Sequence, residues 1–511
     1  RIPSEDPGPA PAGGSLFEEQ WYLNNTGQWH TAKRTTIFGS SFTKQKGKRD
    51  ADIDAPEGWD ITTGVATTDP ASRNSAKIAV LDSGVSCAEL DLQNKCLEQV
   101  NVVQDYVPKS EQLWDGVDGD VIGHGTFVAS EAAADTDNAV GIAGAGWNTG
   151  FGSFKVCYQE LVTDGVNLFF VGLCPVSASA DAIMRASTDR FAADGTTLLR
   201  SQYHVITMSY GSDSIAPDGT ITPTTPSSAE CDAVQAAWDN GVVVVAAAGN
   251  NGDTGKVYPA ACTHAATGVS TVIAVAASDD SDNRPGFSSY SDDADDWVSL
   301  AAPGEWIVGI LPYDHCGLLA PTDSCVDWWN GTSMAAPLVA GSAALLWAQL
   351  YAGDVDAPTV SPASCTVNAV PCNRVVRDRL ENGTDTVGAN GQDLLAWTRY
   401  GRLNLERSLT VQGSVICGDG LVTGSELCDT ADPATNIVDC GLLGDYQSGQ
   451  DANCDACTTY DKTACIPSCT ATESPAELSC SDGVDNDCDG TADTGDPDCD
   501  SGSLLPKGAA C

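Results

Sequence analysis

Short apolar runs alternate with longer mixed segments between residues 52 and 410, a pattern that is typical of an α/β protein. Runs that are continuously apolar predict strands buried on both faces, as in a parallel sheet covered by helices; they are Lys77–Leu81, Val205–Ser209, Val242–Ala246 and Val272–Val275. Helices are predicted at Ala180–Ala193, Ser228–Asn240 (capped by Ser227 or Ser228), Ala335–Leu350 and Asn373–Asn382. We therefore expect a mostly parallel sheet with helices on both faces.

Polar residues stand at the ends of several of these elements. Asp82 and Asn250 come just after predicted strands, at the carboxyl edge where parallel sheets carry their chemistry. Ser333 precedes the buried helix, where free amides point at a developing anion, and His124 stands at the start of a small-residue helix. A serine needs a base, an orienter for that base and a second oxyanion donor. His124, Asp82 and Asn250 are the respective candidates.

The overall charge excludes some partners. With 25 basic and 70 acidic residues the net charge is −45, which argues against nucleic acid or an anionic membrane as a partner. The longest apolar run, Met334–Ala348, is too short to span a bilayer and is interrupted by Pro337 and Ser342, so we expect no membrane span. The chain starts at Arg1 without an initiator Met or an apolar segment, so any signal peptide and pro-segment are expected to have been removed.

Composition divides the 511 residues into four parts. These are a Pro/Gly-rich extension (1–15), a catalytic domain (16–411), a cysteine-rich segment (412–466) and an Asp/Cys-rich segment (467–511). Within the second part, Lys33–Arg49 holds six Lys or Arg. Because the protein is so acidic, this basic stretch is predicted to be a solvated loop that lies against an acidic surface. A processing site at Lys48-Arg49 is the alternative.

The 21 cysteines indicate disulfides in an oxidising compartment. Ten lie in the catalytic domain, where sequential pairing is one possible connectivity among many: Cys87–Cys96, Cys157–Cys174, Cys231–Cys262, Cys316–Cys325 and Cys365–Cys372. The last hundred residues hold eleven cysteines, 19 acidic and 2 basic residues. Few aliphatic residues remain there to form a core, so disulfides or ions must stabilise this region.

Three motifs, in the order Asp, His, Ser along the chain, resemble the subtilisin family of serine peptidases: Val80–Gly84, Gly123–Thr126 and Asn330–Pro337. A fourth, Ala246–Asn250, resembles the oxyanion asparagine segment of that family, and the likeness runs from about Phe17 to Leu409. The resemblance implies that Ser333 attacks the scissile carbonyl, His124 transfers the proton and Asp82 orients the imidazole. Asn250 would then donate to the oxyanion beside the backbone N–H of Ser333.

The same resemblance implies a substrate cleft. Ser209, Tyr210 and Gly211 would pair with an extended peptide, and Ala247, Ala248 and Gly249 would form the opposite wall of the S1 pocket. Val257 stands before Tyr258-Pro259, where relatives often carry glycine. It is expected to make the pocket shallow and to favour small or medium apolar P1 residues.

Calcium is a further implication of the resemblance. The expected ligands are side chains of Asp91 and Asn138 and carbonyls of Asp135, Val140 and Ile142, all hard oxygen donors. The segment Gln20–Leu23 resembles the kexin-type branch, but Gly14 and Ser15 stand where that branch has an aspartate ligand. Gln20 or water would take the place of that aspartate as a calcium ligand. The kexin-type signatures around the triad are absent, so cleavage after paired basic residues is not implied.

The C-terminal part resembles two modules of secreted bacterial proteins. The run from Cys417 to Asp429, with Cys440, Cys454, Cys457 and Cys465, resembles a myxobacterial cysteine-rich repeat, and a zinc site at Cys454/Cys457 is the less favoured interpretation. The Asp-rich segment that follows resembles a calcium-binding loop, and its candidate ligands are Asp485, Asp487, Asp489 and Asp493. A solvated acidic tail is the alternative interpretation of this segment. The number of cysteines in this part is odd, so Cys511 is left without a predicted partner.

Taken together, the sequence predicts a secreted, calcium-stabilised serine endopeptidase that acts on protein or peptide substrates as a monomer, with a tail that contacts a cell surface or another protein. Two alternatives remain. One is an inactive scaffold of the same fold for adhesion or display, and the other is a peptide ligase that uses the same site.

Overall fold

The computed structural model describes residues 16–411, with gaps at 37–38, 74, 108–118, 164–167, 212, 216–220, 224–225, 293–295, 316–324, 354–360 and 368–369, and also residues 437–439, 451–455 and 459–461. The chain separates into two compact units, Arg1–Gln412 and Gly413–Cys511. The N-terminal extension 1–15 and most of the second unit lie outside the described residues.

Strands and helices alternate through the first unit. Its strands are β1 (Trp29–Thr36), β2 (Gly39–Lys46), β3 (Lys77–Asp82), β4 (Cys96–Asn101), β5 (Gly150–Lys155), β6 (Tyr158–Thr163), β7 (Leu168–Leu173), β8 (Arg190–Phe191), β9 (Leu198–Arg200), β10 (Val205–Met208), β11 (Asp213–Ile215), β12 (Ile221–Pro223), β13 (Val243–Ala247), β14 (Ile273–Ser278), β15 (Leu300–Pro303), β16 (Ile307–Leu311), β17 (Cys325–Trp329), β18 (Thr366–Val367) and β19 (Val370–Pro371). Its α-helices are α1 (Ala55–Ile61), α2 (His124–Ala133), α3 (Val176–Ala186), α4 (Ser228–Asp239), α5 (Thr332–Gly353), α6 (Cys372–Asn382) and α7 (Leu405–Thr410). Short 3₁₀ turns occur at Leu16–Glu19, Val103–Asp105, Tyr313–His315 and Pro362–Ser364.

The central sheet has seven strands in the order β15-β14-β13-β10-β3-β5-β4. All of its neighbouring strands pair in parallel. This confirms the predicted mostly parallel sheet, and the four predicted strands agree with β3, β10, β13 and β14 to within a few residues.

Apolar side chains pack on both faces of this sheet. Along β3, Ile78 and Val80 belong to one buried cluster, while Ala79 and Leu81 belong to another. Alternate residues of a strand point to opposite faces, so one cluster covers each side. Helix α5 contributes to the first cluster, and α3 and α4 contribute to the second.

Helix α5 is the most extensively buried long helix among the described residues of the first unit. Its segment Thr332–Ala352 is long and apolar enough to cross a membrane, and it is the one such helix among the described residues. Of the 18-residue apolar window within it, 89% is buried inside the protein. Burial of this extent is typical of a core helix, which is apolar all round because neighbours cover every side.

One predicted helix was misplaced. The prediction was Ala180–Ala193, whereas α3 spans Val176–Ala186 and is followed by the short strand β8. The hydroxyls of Ser187 and Thr188 both donate to the Met184 carbonyl, at 3.2 and 2.9 Å. Such side-chain bonds compete with the helical pattern, and the helix ends there.

The basic stretch predicted as a solvated loop is instead an antiparallel hairpin of β1 and β2, paired from Trp29↔Lys46 to Thr36↔Gly39. Its strands lack a clear apolar alternation: Ala32 and His30 are buried, whereas Trp29 and Phe42 are exposed, so the strand signal in the sequence is weak. The expected acidic surroundings are present, since Lys33 pairs with Asp327 and Lys44 with Glu19.

Four of the sequential disulfides are present: Cys87–Cys96, Cys157–Cys174, Cys231–Cys262 and Cys365–Cys372. Cys325 is also disulfide-bonded, and its predicted partner Cys316 lies outside the described residues.

In the second unit the described residues form an antiparallel sheet of β20 (Ile437–Asp439), β21 (Asp451–Asp455) and β22 (Thr459–Asp461). The predicted ligands Asp485, Asp487, Asp489 and Asp493 lie outside the described residues.

Candidate active site

Three neighbouring strands, β13, β10 and β3, end side by side at the carboxyl edge of the sheet. Asp82 is the last residue of β3, Ser209 follows β10, and Asn250 follows β13 after a short turn. Parallel strands place their carboxyl ends on one edge, so these side chains are gathered by the sheet itself. The N-termini of α2 and α5 bring His124 and Ser333 to the same edge.

Close packing of α2 against β3 depends on Gly125. A Cβ at this position would clash with the Gly84 carbonyl oxygen and would lie 3.0 Å from the Cβ of Asp82. Glycine therefore lets the first turn of α2 approach the strand end. As a result, Nδ1 of His124 lies 2.7 Å from Oδ1 of Asp82.

The surroundings of His124 favour its charged form. Burial opposes protonation of the imidazole, but the charge and hydrogen bond of Asp82, together with the charge of Asp120, raise the pKa of His124 above its usual value of 6.5. The Asp82 carboxylate is itself held in place, since Oδ1 also accepts the Ser83 backbone N–H at 2.7 Å. With Nδ1 bound to the carboxylate, Nε2 is the nitrogen available to act as a base.

Ser333 lies in the first turn of α5. Its hydroxyl donates to the Ser209 carbonyl at 3.0 Å, and the Ser209 hydroxyl donates to the Ser333 carbonyl at 2.8 Å. These reciprocal bonds fix the nucleophile candidate at the end of β10. Proton transfer to His124 requires the Ser333 hydroxyl to turn from Ser209, and catalytic hydrogen bonds commonly tighten only once substrate is bound.

Asn250 is oriented by the residue before Ser333. Its Oδ1 accepts the backbone N–H of Thr332 at 2.9 Å and the hydroxyl of Thr332 at 3.1 Å. The same hydroxyl accepts the Gly249 N–H at 3.1 Å. Because the carbonyl end of the amide is used by Thr332, the NH₂ end is the part left to donate, as an oxyanion donor must.

Three of these groups, His124, Asn250 and Ser333, line a cleft of about 490 Å³, and Asp82 lies behind His124, to which it is hydrogen-bonded. The described residues that line it are Lys33, Thr35, His124, Asn250, Trp328, Trp329, Asn330, Ser333 and Met334. A base, a hydroxyl and an amide donor at one open cleft can add the hydroxyl to a carbonyl carbon and stabilise the resulting oxyanion.

The residues predicted to bind the acyl side of a substrate lie beside this cleft. Val257 is 2% exposed and stands between Gly211 and Gly249: a Cβ on either glycine would meet a Val257 methyl group. The structure thus brings Ser209–Gly211, Ala247–Gly249 and Val257 together, with Ser209, Ala247 and Ala248 buried. The Tyr210 hydroxyl lies 2.7 Å from Ser179 Oγ.

Asp120, a buried carboxylate just before α2, was not among the predicted site residues. Its Oδ1 accepts the Ser83 hydroxyl and the Gly123 N–H, both at 2.8 Å, and its Oδ2 accepts the N–H and the hydroxyl of Thr126, also both at 2.8 Å. It therefore caps the helix that begins with His124 and ties it to the residue after Asp82. The acidic residue four positions before the histidine was the available signal.

Trp329 was missed as well. Its ring stacks on Phe127 with centroids 4.7 Å apart and an interplanar angle of 4°, and it lies 6.1 Å from the His124 ring at 26°. Its indole N–H donates to Asp327 at 3.1 Å. The imidazole is thus held by a carboxylate at one edge and has an aromatic wall beside it, a contact between distant segments that has no local signature in the sequence.

The predicted calcium loop surrounds Asp91, which is fully buried. Oδ1 of Asp91 accepts the Asn138 amide at 2.7 Å, Oδ2 accepts the Ile142 N–H at 2.8 Å, and Oδ1 of Asn138 accepts the Val140 N–H at 2.9 Å. Asp137, Ala139 and Gly141 all have positive φ, so the loop turns tightly around the carboxylate.

These residues fit a calcium ion. Gly141 has φ +58°, and a Cβ there would collide with Oδ2 of Asp91, so the backbone approaches the carboxylate as closely as it can. To bind an ion through Oδ1, Asn138 would have to exchange the bond that this oxygen now accepts from the Val140 N–H. The Asp135 N–H donates to the Asp91 carbonyl at 2.8 Å, and its side chain accepts from Asn94 at 2.9 Å.

Gln20, the proposed substitute ligand, reaches this loop but is bonded to its backbone. Its side-chain amide accepts the Ala143 N–H and donates to the Ala143 carbonyl, each at 2.8 Å. No group of three or more His, Cys, Asp or Glu suited to a metal occurs in the described part of the chain, so the loop would rely on Asp91 with neutral oxygen donors.

Comparisons with known proteins agree with this geometry. A family model described as the Subtilase family matches residues 73–394. The chain is 32% identical over 353 residues to the thermophilic serine proteinase of Bacillus sp. (strain AK1), covering 69% of this chain and 64% of that protein. It is 33% identical over 302 residues to thermitase of Thermoactinomyces vulgaris, covering 58% of this chain and 80% of that protein.

Among solved structures, a protease from Pseudoalteromonas arctica PAMC 21717 matches with a TM-score of 0.51 and 21% identity, over 77% of this chain and 97% of that one. At this identity the likeness concerns the fold alone.

Proposed function

The chain belongs to the subtilase family, and from that premise we propose that it is a secreted serine endopeptidase that cleaves peptide bonds through an acyl-enzyme on Ser333. The observation that carries the proposal is the 2.7 Å contact between His124 Nδ1 and Asp82, at a cleft that Ser333 and Asn250 also line. Four groups with complementary chemistry have been brought together from four separate segments of the chain.

The proposed reaction has two halves. In the first, Ser333 Oγ attacks the scissile carbonyl carbon while His124 Nε2 takes the hydroxyl proton. The C–N bond then breaks, and the proton passes from His124 to the leaving amine, which leaves an ester on Ser333. In the second half, water repeats the attack with His124 as base, and the ester is hydrolysed. Asp82 stabilises the imidazolium formed in each half.

The oxyanion of each tetrahedral intermediate would lie between Asn250 and α5. The Asn250 NH₂ and the Ser333 N–H are the two donors, and the N-terminus of α5 adds its partial positive charge. Because Thr332 already holds the Asn250 carbonyl, the donor is oriented before substrate arrives. Such preorganised donors stabilise the transition state without reorganisation during the reaction.

Labelling with a fluorophosphonate probe tests the function against the scaffold alternative. We expect rapid modification of Ser333 in the calcium-replete protein, because the probe needs an activated serine and an oxyanion site. Prior protonation of His124 at low pH should slow the labelling. An intact folded protein that does not react at Ser333 would favour the scaffold.

The S1 pocket is proposed to accept small or medium apolar residues. Val257 fills the space between Gly211 and Gly249, so a long P1 side chain would meet its methyl groups. Peptide profiling in which Arg or Phe is strongly favoured at P1 would contradict this.

Secretion is supported by the disulfides. Four described pairs close loops in the first unit, and such bonds form and persist mainly in an oxidising compartment.

Calcium is proposed to bind at the Asp91 loop. The ion would cross-link Asp91 with Asn138 and the carbonyls of Asp135, Val140 and Ile142, and so hold the loop after α2. An ion bound only by the folded state stabilises it by about 2.7 kcal/mol when its concentration is a hundredfold above Kd.

We expect calcium to raise the melting temperature of the wild-type protein and EDTA to lower it. Asp91→Asn should lose most of this calcium-dependent rise, because it removes the carboxylate from the ligand set. Asp137→Asn is the matched control, since it removes one charge from an exposed position of the same loop. Differential scanning calorimetry across a calcium titration measures the effect. Equal responses of the two variants would place the ion elsewhere.

A further inference from the structure

The hairpin of β1 and β2 borders the active-site cleft at a place where a substrate would have to pass. We propose that Lys33 of this hairpin gives the enzyme a preference for peptides with Glu or Asp at one of the first two positions after the scissile bond. The inference rests on the proposed endopeptidase function and adds to it a substrate class.

The cleft can be assigned to the leaving-group side. In the proposed reaction His124 gives its proton to the departing amine, so that amine must lie beside the imidazole. His124 lines the cleft together with Trp328 and Trp329. None of the residues predicted to hold the acyl side, Ser209–Gly211, Ala247–Gly249 and Val257, is among the described residues that line it. The residues that follow the scissile bond would therefore enter this cleft.

The hairpin is fixed against this cleft by two contacts. Lys33 forms an ion pair with Asp327, and the ring of Phe42 meets the ring of Trp328 at 6.0 Å and 74°. Lys33 and Thr35, two positions apart on β1, share one face of the strand, and both line the cleft. The hairpin therefore forms one wall of the cleft and is held in place by its own contacts.

Lys33 supplies the charge of this wall. It is the one lysine or arginine among the described residues lining the cleft, and neither Asp nor Glu is among them. Asp327 is not among those lining residues, and its carboxylate is engaged by the tryptophans: Oδ1 accepts the Trp328 N–H at 2.8 Å and Oδ2 accepts the Trp329 indole N–H at 3.1 Å. An ammonium has three donors, and one of them serves Asp327. The others can bind a substrate carboxylate.

The position of this cation is unusual for this chain. The net charge is −45, yet residues 33–49 contain six Lys or Arg and neither Asp nor Glu. A local positive wall in a negative protein attracts carboxylates at short range, while screening weakens the attraction as salt rises. The same contacts would also suit a purely structural pairing of Lys33 with Asp327, and the experiment separates the two roles.

The experiment uses the full chain with calcium and internally quenched peptides. All share one acyl half with a small apolar P1 residue and carry Glu, Gln or Lys at the first or second position after the scissile bond. For wild type at low salt we expect kcat/KM to be about five times higher for the Glu peptide than for the Gln peptide, the size of a partly exposed ion pair, and lowest for the Lys peptide. High salt should reduce the ratio.

The variants test Lys33 itself. Lys33→Gln should bring the Glu/Gln ratio close to one, and Lys33→Arg should keep it. Lys44→Gln is the matched control, because it removes the same charge from the same hairpin at a side chain that is 56% exposed and paired with Glu19. It should keep both the ratio and the basal rate. Melting temperatures and the rate of fluorophosphonate labelling report whether each variant is folded.

Three results would overturn the inference: a wild-type ratio near one, a ratio that survives in Lys33→Gln, or a ratio lost equally in Lys44→Gln. Should Lys33→Gln fail to fold, a wild-type ratio that does not respond to salt would overturn it as well. If wild-type protein cleaves none of the peptides and does not react with the probe, the proposed function fails, which is a different outcome from cleavage without preference.

Discussion

Replacing Ser333 with alanine is expected to lower kcat for casein or a quenched peptide by about 10⁶-fold, the loss known for subtilisin itself when its nucleophile or base is removed. The reason is that the hydroxyl is the atom that forms the acyl-enzyme, and the rest of the site then offers only binding and oxyanion stabilisation. His124→Ala should cost a similar factor, because an unassisted serine hydroxyl is a poor nucleophile at neutral pH.

The effects of the two substitutions on kcat are expected not to add. The double variant Ser333→Ala/His124→Ala should be no slower than either single variant, since each change alone already stops the shared proton transfer. Rates are measured with the calcium-replete protein. The control is Ser364→Ala, which makes the same substitution at an exposed serine that does not line the cleft. A Ser333→Ala protein that keeps more than about one hundredth of wild-type activity would remove Ser333 from the mechanism.

Asp82→Asn is expected to lower kcat at neutral pH by about 10⁴-fold, as the corresponding change does in a serine protease of another fold. The carboxylate accepts from His124 Nδ1 at 2.7 Å and so keeps the proton on that nitrogen. An amide at this position can donate instead, which favours the tautomer with the proton on Nε2 and removes the base. The Asp60→Asn variant, at an exposed position, should be unaffected.

The pH profile gives an independent measurement of the same contact. His124 acts as a base only when neutral, so kcat/KM falls as pH drops through its pKa, which Asp82 and Asp120 raise above 6.5 against the opposing effect of burial. Removing the Asp82 charge should move this acidic limb to lower pH. A limb that stays in place, or an Asp82→Asn rate within tenfold of wild type, would mean that the contact has no catalytic role.

The strands of the central sheet and the candidate catalytic residues could be predicted because their signals are local. Strands such as Val205–Met208 are buried on both faces and therefore read as continuous apolar runs. Asp82 and Asn250 follow such runs directly, and Ser333 stands at the head of the long apolar helix. The end of α3 was misjudged because Ser187 and Thr188 terminate it through side-chain bonds that a periodicity argument does not detect.

The surroundings of the catalytic residues could not be predicted in this way. Trp329 and Phe127 are about two hundred positions apart along the chain and are stacked only in the folded protein. Asp120 lies close to His124 in sequence, but its bond to Ser83 depends on how α2 meets β3. Lys33 belongs to a stretch that looked like a solvated loop, and its position at the cleft follows from the pairing of β1 with β2 and from Asp327.

The parallel α/β architecture, the subtilase family and the candidate chemical groups could therefore be inferred from consecutive residues, since burial on both sheet faces and short motifs leave local patterns in the chain. Which side chains support His124, how the Asn250 amide is oriented and which hairpin borders the cleft follow only from tertiary contacts. These depend on contacts between segments far apart in the chain, and the energies that select such contacts come from packing and charge in the assembled fold rather than from the preference of any single stretch.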